Sequence, residues 1–269
     1  MKLKTFKIAL LFLFSLSVYS QEIVKGPPSK VTEQDFFDIA SRLEKLYIPF
    51  IKNNYQVDFV IEKDWKDNTV NSYATREIDT FKVHILGGIA RASGMTRDSL
   101  ALVICHEIGH HLGGAPKTFL YDRWPSAEGQ ADYFATSKCL KKYYQEYSFE
   151  EVPIDRNIPE KVMADCRARN TNGKEEKICI KVALASLAFA DFLNNMPNNK
   201  IKVDLLTPDT REVKGTNTND YPRPQCRFDT LYAGTMCNAH PDSLFSNTDP
   251  NIGACTTTPG SRPLCWYKP

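Results

Sequence analysis

The stretch Cys105-His106-Glu107-Ile108-Gly109-His110-His111-Leu112-Gly113-Gly114 contains the pattern HExxH followed closely by a pair of glycines. It closes a segment, 96–112, that opens on a threonine with Asp98 just behind it, so start and stop signals predict a helix here. Helix positions i and i+4 share a face, with Cβ atoms about 5–6 Å apart. His106 and His110 can therefore offer one ring nitrogen each to a single metal ion, and two histidines at this spacing suit Zn2+. Glu107 then stands beside the ion without binding it, placed to accept a proton from water.

Zinc needs a third protein ligand. The pattern HExxHxxGxxH would supply a histidine, and Gly113 fits it, but the last position is Pro116. The remaining choice is an acid on a later helix. Ser126-Ala127-Glu128-Gly129-Gln130-Ala131-Asp132 places Glu128 18 residues after His110, following Pro125 at a predicted helix start. Glu128 and Asp132 are again i and i+4, so Glu128 can bind the metal while Asp132 accepts from a ligand histidine and fixes its tautomer. One Zn2+ per chain is expected.

These motifs resemble the gluzincin peptidases, the group that includes the CaaX prenyl endopeptidase and the membrane heat-shock peptidase. Asn71-Ser72-Tyr73-Ala74 is similar to the family's NAfA-type segment, 83–89 to its strand ending in glycine, and Glu128 with Asp132 to its ExxxD. Asp220-Tyr221-Pro222-Arg223-Pro224-Gln225-Cys226-Arg227-Phe228 resembles its THPPxxxRI segment, with Tyr221 where the family has histidine. The resemblance covers about residues 65–230. It implies an α+β zincin-like metallopeptidase domain, mainly helical with a small sheet, and a soluble exported zinc endopeptidase with Glu107 as general base. It also implies a hydrogen-bond donor to the reacting carbonyl at Tyr221, with His240 as the rival candidate.

Outward from the motif, apolar spacing predicts a helix over 32–53, strands over 57–61, 70–74 and 80–86, a helix over 126–147 and a buried helix over 182–193. The strand 80–86 is expected to be an edge along which an extended protein or peptide substrate pairs. From Pro208 on lie 8 of the 16 prolines and 4 of the 8 cysteines, so 208–269 reads as an irregular, disulfide-stapled segment packed on a catalytic part, 21–207. Residues 1–20 have the layout of a signal peptide: Lys2, Lys4 and Lys7, an apolar run, then Val18-Tyr19-Ser20. Its removal leaves no membrane span, and export to the periplasm or beyond suits eight cysteines paired as disulfides.

With 34 Lys and Arg against 32 Asp and Glu, three of the cations in that leader, the remainder is nearly neutral. A nucleic-acid-binding surface is therefore not expected. His111 points about 100° away from His110 and reads as a packing residue, as do Trp65, Trp124 and Trp266. His84 reads as a strand surface residue, and Cys105 as half of a disulfide. Two alternatives share these motifs: a protein-binding or chaperone-like module that keeps the metal but not turnover, and a zinc hydrolase of cell-wall peptides.

Overall fold

The computed structural model describes residues 27–119, 123–147, 157–169, 172–196 and 202–269; the leader at 1–20 lies outside them. Helix α1 (Glu33–Tyr55) starts at a Thr32–Asp35 capping box and buries Phe36, Ala40, Leu43 and Tyr47 of its predicted stripe together with Ile39 and Ile51, while Phe50 is half-buried; Pro49 lies within it. Strands β1 (Asp58–Asp64), β2 (Ser72–Arg76) and β3 (Thr80–Leu86) form one sheet in the order β1-β3-β2. β3 runs parallel to β1 and antiparallel to β2. The expectation that 80–86 is an edge is thus wrong. β3 alternates Phe81, Val83 and Ile85 into the core and is paired on both sides, which leaves β2 as the edge nearest the motif helix.

After a short helix α2 (Gly87–Arg91), the motif helix α3 (Arg97–Leu112) begins at a Thr96–Ser99 capping box. It is buried on nearly every face. The predicted helix over 126–147 is α4 (Glu128–Phe134), a π-helical turn (Ala135–Cys139) and α5 (Leu140–Glu146) in succession, with helical backbone at each junction. α6 (Glu160–Arg169) follows, and then α7 (Gly173–Asn194), whose apolar residues are buried as expected. No helix among the described residues is long and apolar enough to cross a membrane.

The segment after 208 holds more regular structure than its prolines suggest. Helix α8 (Pro224–Met236) uses Pro224 at its first turn, where a missing N–H costs nothing, and packs on α7, α4 and the π turn. Leu231, Met236 and Phe245 join the same apolar core as α1 and α3. Four disulfides, Cys105–Cys139, Cys166–Cys179, Cys226–Cys265 and Cys237–Cys255, pair all eight cysteines. The first ties α3 to the π turn behind α4; the last two tie the tail to α8.

Packing of α3 on α4 is unusually close. A Cβ at Gly109 would lie 2.8 Å from the Ala131 carbonyl oxygen and 2.9 Å from its Cα. Gly109→Ala should therefore part the two helices: the overpacking costs about 1–3 kcal/mol and outweighs the ~1 kcal/mol that alanine gains in helix propensity. Thermal melts and metal titration of the variant check this; an equally stable variant with full metal affinity would contradict it.

Candidate metal centre

α3 delivers His106, Glu107 and His110, and α4 delivers Glu128 and Asp132 across the Gly109 contact. One ligand atom each from His106, His110 and Glu128 lie within 4.8 Å of one another. The two imidazoles stand edge to face, 4.8 Å between centres. Their tautomers follow from what each Nδ1 meets. His106 Nδ1 donates to Asp132 Oδ1 at 2.8 Å, and His110 Nδ1 donates to the Ser126 carbonyl at 2.9 Å. Both Nε2 atoms are thereby turned toward Glu128, the orientation found in metal-binding histidines.

Glu128 completes the set. Its Oε2 is buried without a hydrogen-bond partner, 3.2 Å from His106 Nε2, and its Oε1 lies 3.8 Å from His110 Nε2. An anionic oxygen facing two imidazole nitrogens, with no aligned donor, fits a shared divalent cation. Two nitrogens and a carboxylate suit zinc better than magnesium or calcium, which prefer all-oxygen sites.

Behind the ligands runs a charged chain. Arg227, from α8, donates Nε to Asp132 Oδ2 and NH2 to Oδ1, both at 2.8 Å. Burial alone would raise the Asp132 carboxyl, but Arg227 and His106 hold it well below its ordinary range. Burial would likewise lower the His106 imidazole, but Asp132 and Glu128 outweigh that and push it up to about 10. For Glu128, burial raises the carboxyl, and His110, His106 and Arg227 bring it below its ordinary value.

Glu107 is kept apart from this set. Ser72 Oγ on β2 donates to its Oε1 at 2.7 Å, while Oε2 lies 4.0 Å from His110 Nε2. One oxygen is thus anchored, and the other faces the ligand cluster. Tyr221 comes to the rim: its ring centre is 5.1 Å from the Arg227 guanidinium carbon, and the residue is 56% exposed. Desolvation, then the carboxylates of Glu128, Glu107 and Asp132, raise its phenol, so it remains a donor. His240 lies elsewhere, 74% exposed, with Lys138, Asp242 and Ser243 around it.

His111 is a packing residue, as read: it stacks between Phe81 and Trp124, accepts from Arg76 Nε and donates Nε2 to the Lys82 carbonyl. Burial keeps it neutral. His84 is more enclosed than a surface residue, held between Glu62 and Thr75 under the Tyr73 ring. Trp266 is fully buried and lies over Gly129 at the start of α4. The roles of Ser72, Arg227 and the Ser126 carbonyl emerge only in the structure; Ser72 and Arg227 had a sequence signal only in lying within the NAfA-like and THPPxxxRI-like segments. No family model, curated protein or solved structure matches the chain.

In metal-free protein His106 keeps its proton to about pH 10, so a cation entering at pH 7.5 displaces it. Because the folded-state value lies above the ordinary 6.5, the stabilisation from that proton is complete below about pH 6.5 and fades as pH rises through about 10. Zinc titration by calorimetry in two buffers of different ionisation heat should show about one proton released per ion, and melts of chelated protein should fall over that pH span. Asp132→Asn should weaken zinc about 10–100-fold. Heats that are independent of buffer, or unchanged affinity in Asp132→Asn, would contradict the assignment.

Proposed function

We infer that this protein is an exported zinc-dependent endopeptidase of the gluzincin kind. The observation that carries the reading is the division of labour among four side chains. His106, His110 and Glu128 converge on one point, while Glu107, facing the same point, is held off it by Ser72. A zinc ion held by the three would act as a Lewis acid and lower the pKa of a water beside it to about 7.

The protein's own groups do the rest. Glu107 Oε2 accepts the proton of the attacking water and later returns it to the departing amine nitrogen. Ser72 fixes the rotamer of that carboxylate, so the proton is received in one place. Asp132 and Arg227 hold His106 in its Nδ1–H form, and the Ser126 carbonyl does the same for His110. Tyr221 is the neutral donor at the rim for the oxygen of the reacting carbonyl.

An extended substrate would lie along β2, which is paired on one side only and reaches Glu107 through Ser72. Main-chain pairing to a strand edge gives affinity with little sequence preference. Four disulfides suit an oxidising compartment and so support export.

Glu107→Gln preserves shape but removes the base. Turnover of casein or a fluorogenic peptide should fall by about 10² or more with zinc content and melting unchanged. Tyr221→Phe should lower kcat about 10-fold to 10³-fold, a loss of about 1.4–4 kcal/mol of transition-state stabilisation, again with zinc retained. A Glu107→Gln protein that turns over normally would overturn the reading; a normal Tyr221→Phe with an impaired His240→Ala would move the donor.

A further inference from the structure

Helix α4 begins on the candidate ligand itself. Glu128 is its first residue, and Ala127, the N-cap, offers no side chain to the free N–H groups of the first turn. A helix start without a cap is prone to fray, and fraying here would carry the carboxylate away from the two imidazoles. What holds this turn comes from the other end of the chain.

Trp266 is fully buried with its ring over Gly129, where a Cβ would lie 2.4–2.7 Å from three ring carbons. The indole therefore rests on the backbone of α4 one residue past Glu128. Arg262, also buried, donates NH1 to Gln130 Oε1 at 3.0 Å and NH2 to the Pro250 carbonyl at 2.6 Å. Gln130 in turn donates Nε2 to the Gly113 carbonyl at 2.6 Å, at the C-cap of the helix that carries His106 and His110. With a guanidinium at one end and a carbonyl at the other, only one orientation of the amide satisfies both. The tail is fixed between these points. Cys265 is bonded to Cys226, the residue before Arg227, and the Val213 and Asn217 N–H groups donate to the Leu264 and Trp266 carbonyls at 2.9 and 2.8 Å.

These contacts converge on residues 129 and 130, directly behind Glu128. Through Gln130 they also join the start of one ligand helix to the end of the other, at a carbonyl that α3 leaves free. We propose that Arg262, Gln130 and Trp266 are positioning residues for the metal: they set where Glu128 stands relative to His106 and His110. The role presupposes that those three side chains hold zinc. Affinity for the ion is then governed in part by a C-terminal tail that never touches it.

The test measures zinc affinity of the full-length protein by competition with a chromophoric chelator, beside melts of the chelated protein. Gln130→Glu keeps the size and the bond from Arg262 but has no donor for the Gly113 carbonyl. It should weaken zinc about 10–100-fold, the range for groups that act through a ligand. Gly129→Ala drives a methyl into the Trp266 ring, and Trp266→Leu removes the ring; each should weaken zinc, and the double variant should lose less than the two losses combined, because the residues touch. Gln130→Glu leaves the packing volume unchanged and carries the test where Gly129→Ala fails to fold. Val162→Ala, a buried change in α6, should lower melting and leave zinc affinity within about 2-fold. Tail variants that melt lower yet bind zinc as the wild type does would show a purely structural tail and overturn the positioning role. His106→Ala separates this from a failure of the metal site. Zinc lost in His106→Ala but kept in Gln130→Glu and Trp266→Leu overturns the positioning alone, whereas a wild type that takes up no zinc, or keeps it in His106→Ala, overturns both.

Discussion

A Cβ on residue 109 would collide with the backbone of Ala131, so the contact between α3 and α4 depends on a glycine inside the motif helix. That contact brings the two i, i+4 pairs face to face. His106 and His110 come from one helix, Glu128 and Asp132 from the other, and the distances among them follow from the helix separation. The Cys105–Cys139 disulfide ties α3, one residue before His106, to the π turn that continues α4. Trp266, lying over Gly129, closes the back of α4 with the C-terminal tail. A site of two short side-chain pairs is thus framed by backbone contact, a covalent bond and one large aromatic.

Electrostatics then orient what packing has assembled. A buried carboxylate at Asp132 is tolerable because a bidentate arginine and an imidazole N–H satisfy both of its oxygens. The arginine comes from α8, over ninety residues further on, so the C-terminal part is a structural member of the candidate metal site. Ser72 performs the corresponding service for Glu107 from the sheet side. Strand, motif helix, α4 and C-terminal helix all contribute, and His106, His110, Glu107 and Asp132 are each held by a hydrogen bond.

What could be read from the sequence was local. HExxH at helical spacing, the Thr96 cap and the Glu128–Asp132 pair are short-range patterns, and the structure arranges them as their periodicity requires. What was not legible was non-local. Strand order depends on which neighbour β3 takes, and its alternating Phe81, Val83 and Ile85 suit a central strand as well as an edge. α8 was hidden because Pro224, Cys226 and the threonines obscure its period, while Cys226, Phe228, Thr230, Leu231, Ala233, Gly234, Thr235 and Met236 are all buried and leave no amphipathic stripe. The pairing of eight cysteines, and the role of Ser72, depend on contacts 13 to 39 residues apart that no spacing rule encodes.

The proposed function turns on whether His106, His110 and Glu128 hold zinc. Zinc K-edge absorption spectroscopy on the purified protein, prepared without added metal, reports both at once. The expected result is one zinc per chain bound by two imidazole nitrogens and carboxylate or water oxygen at about 2.0–2.2 Å. A protein that carries no zinc and takes none up, or a shell containing sulfur or oxygen without imidazole, would contradict it.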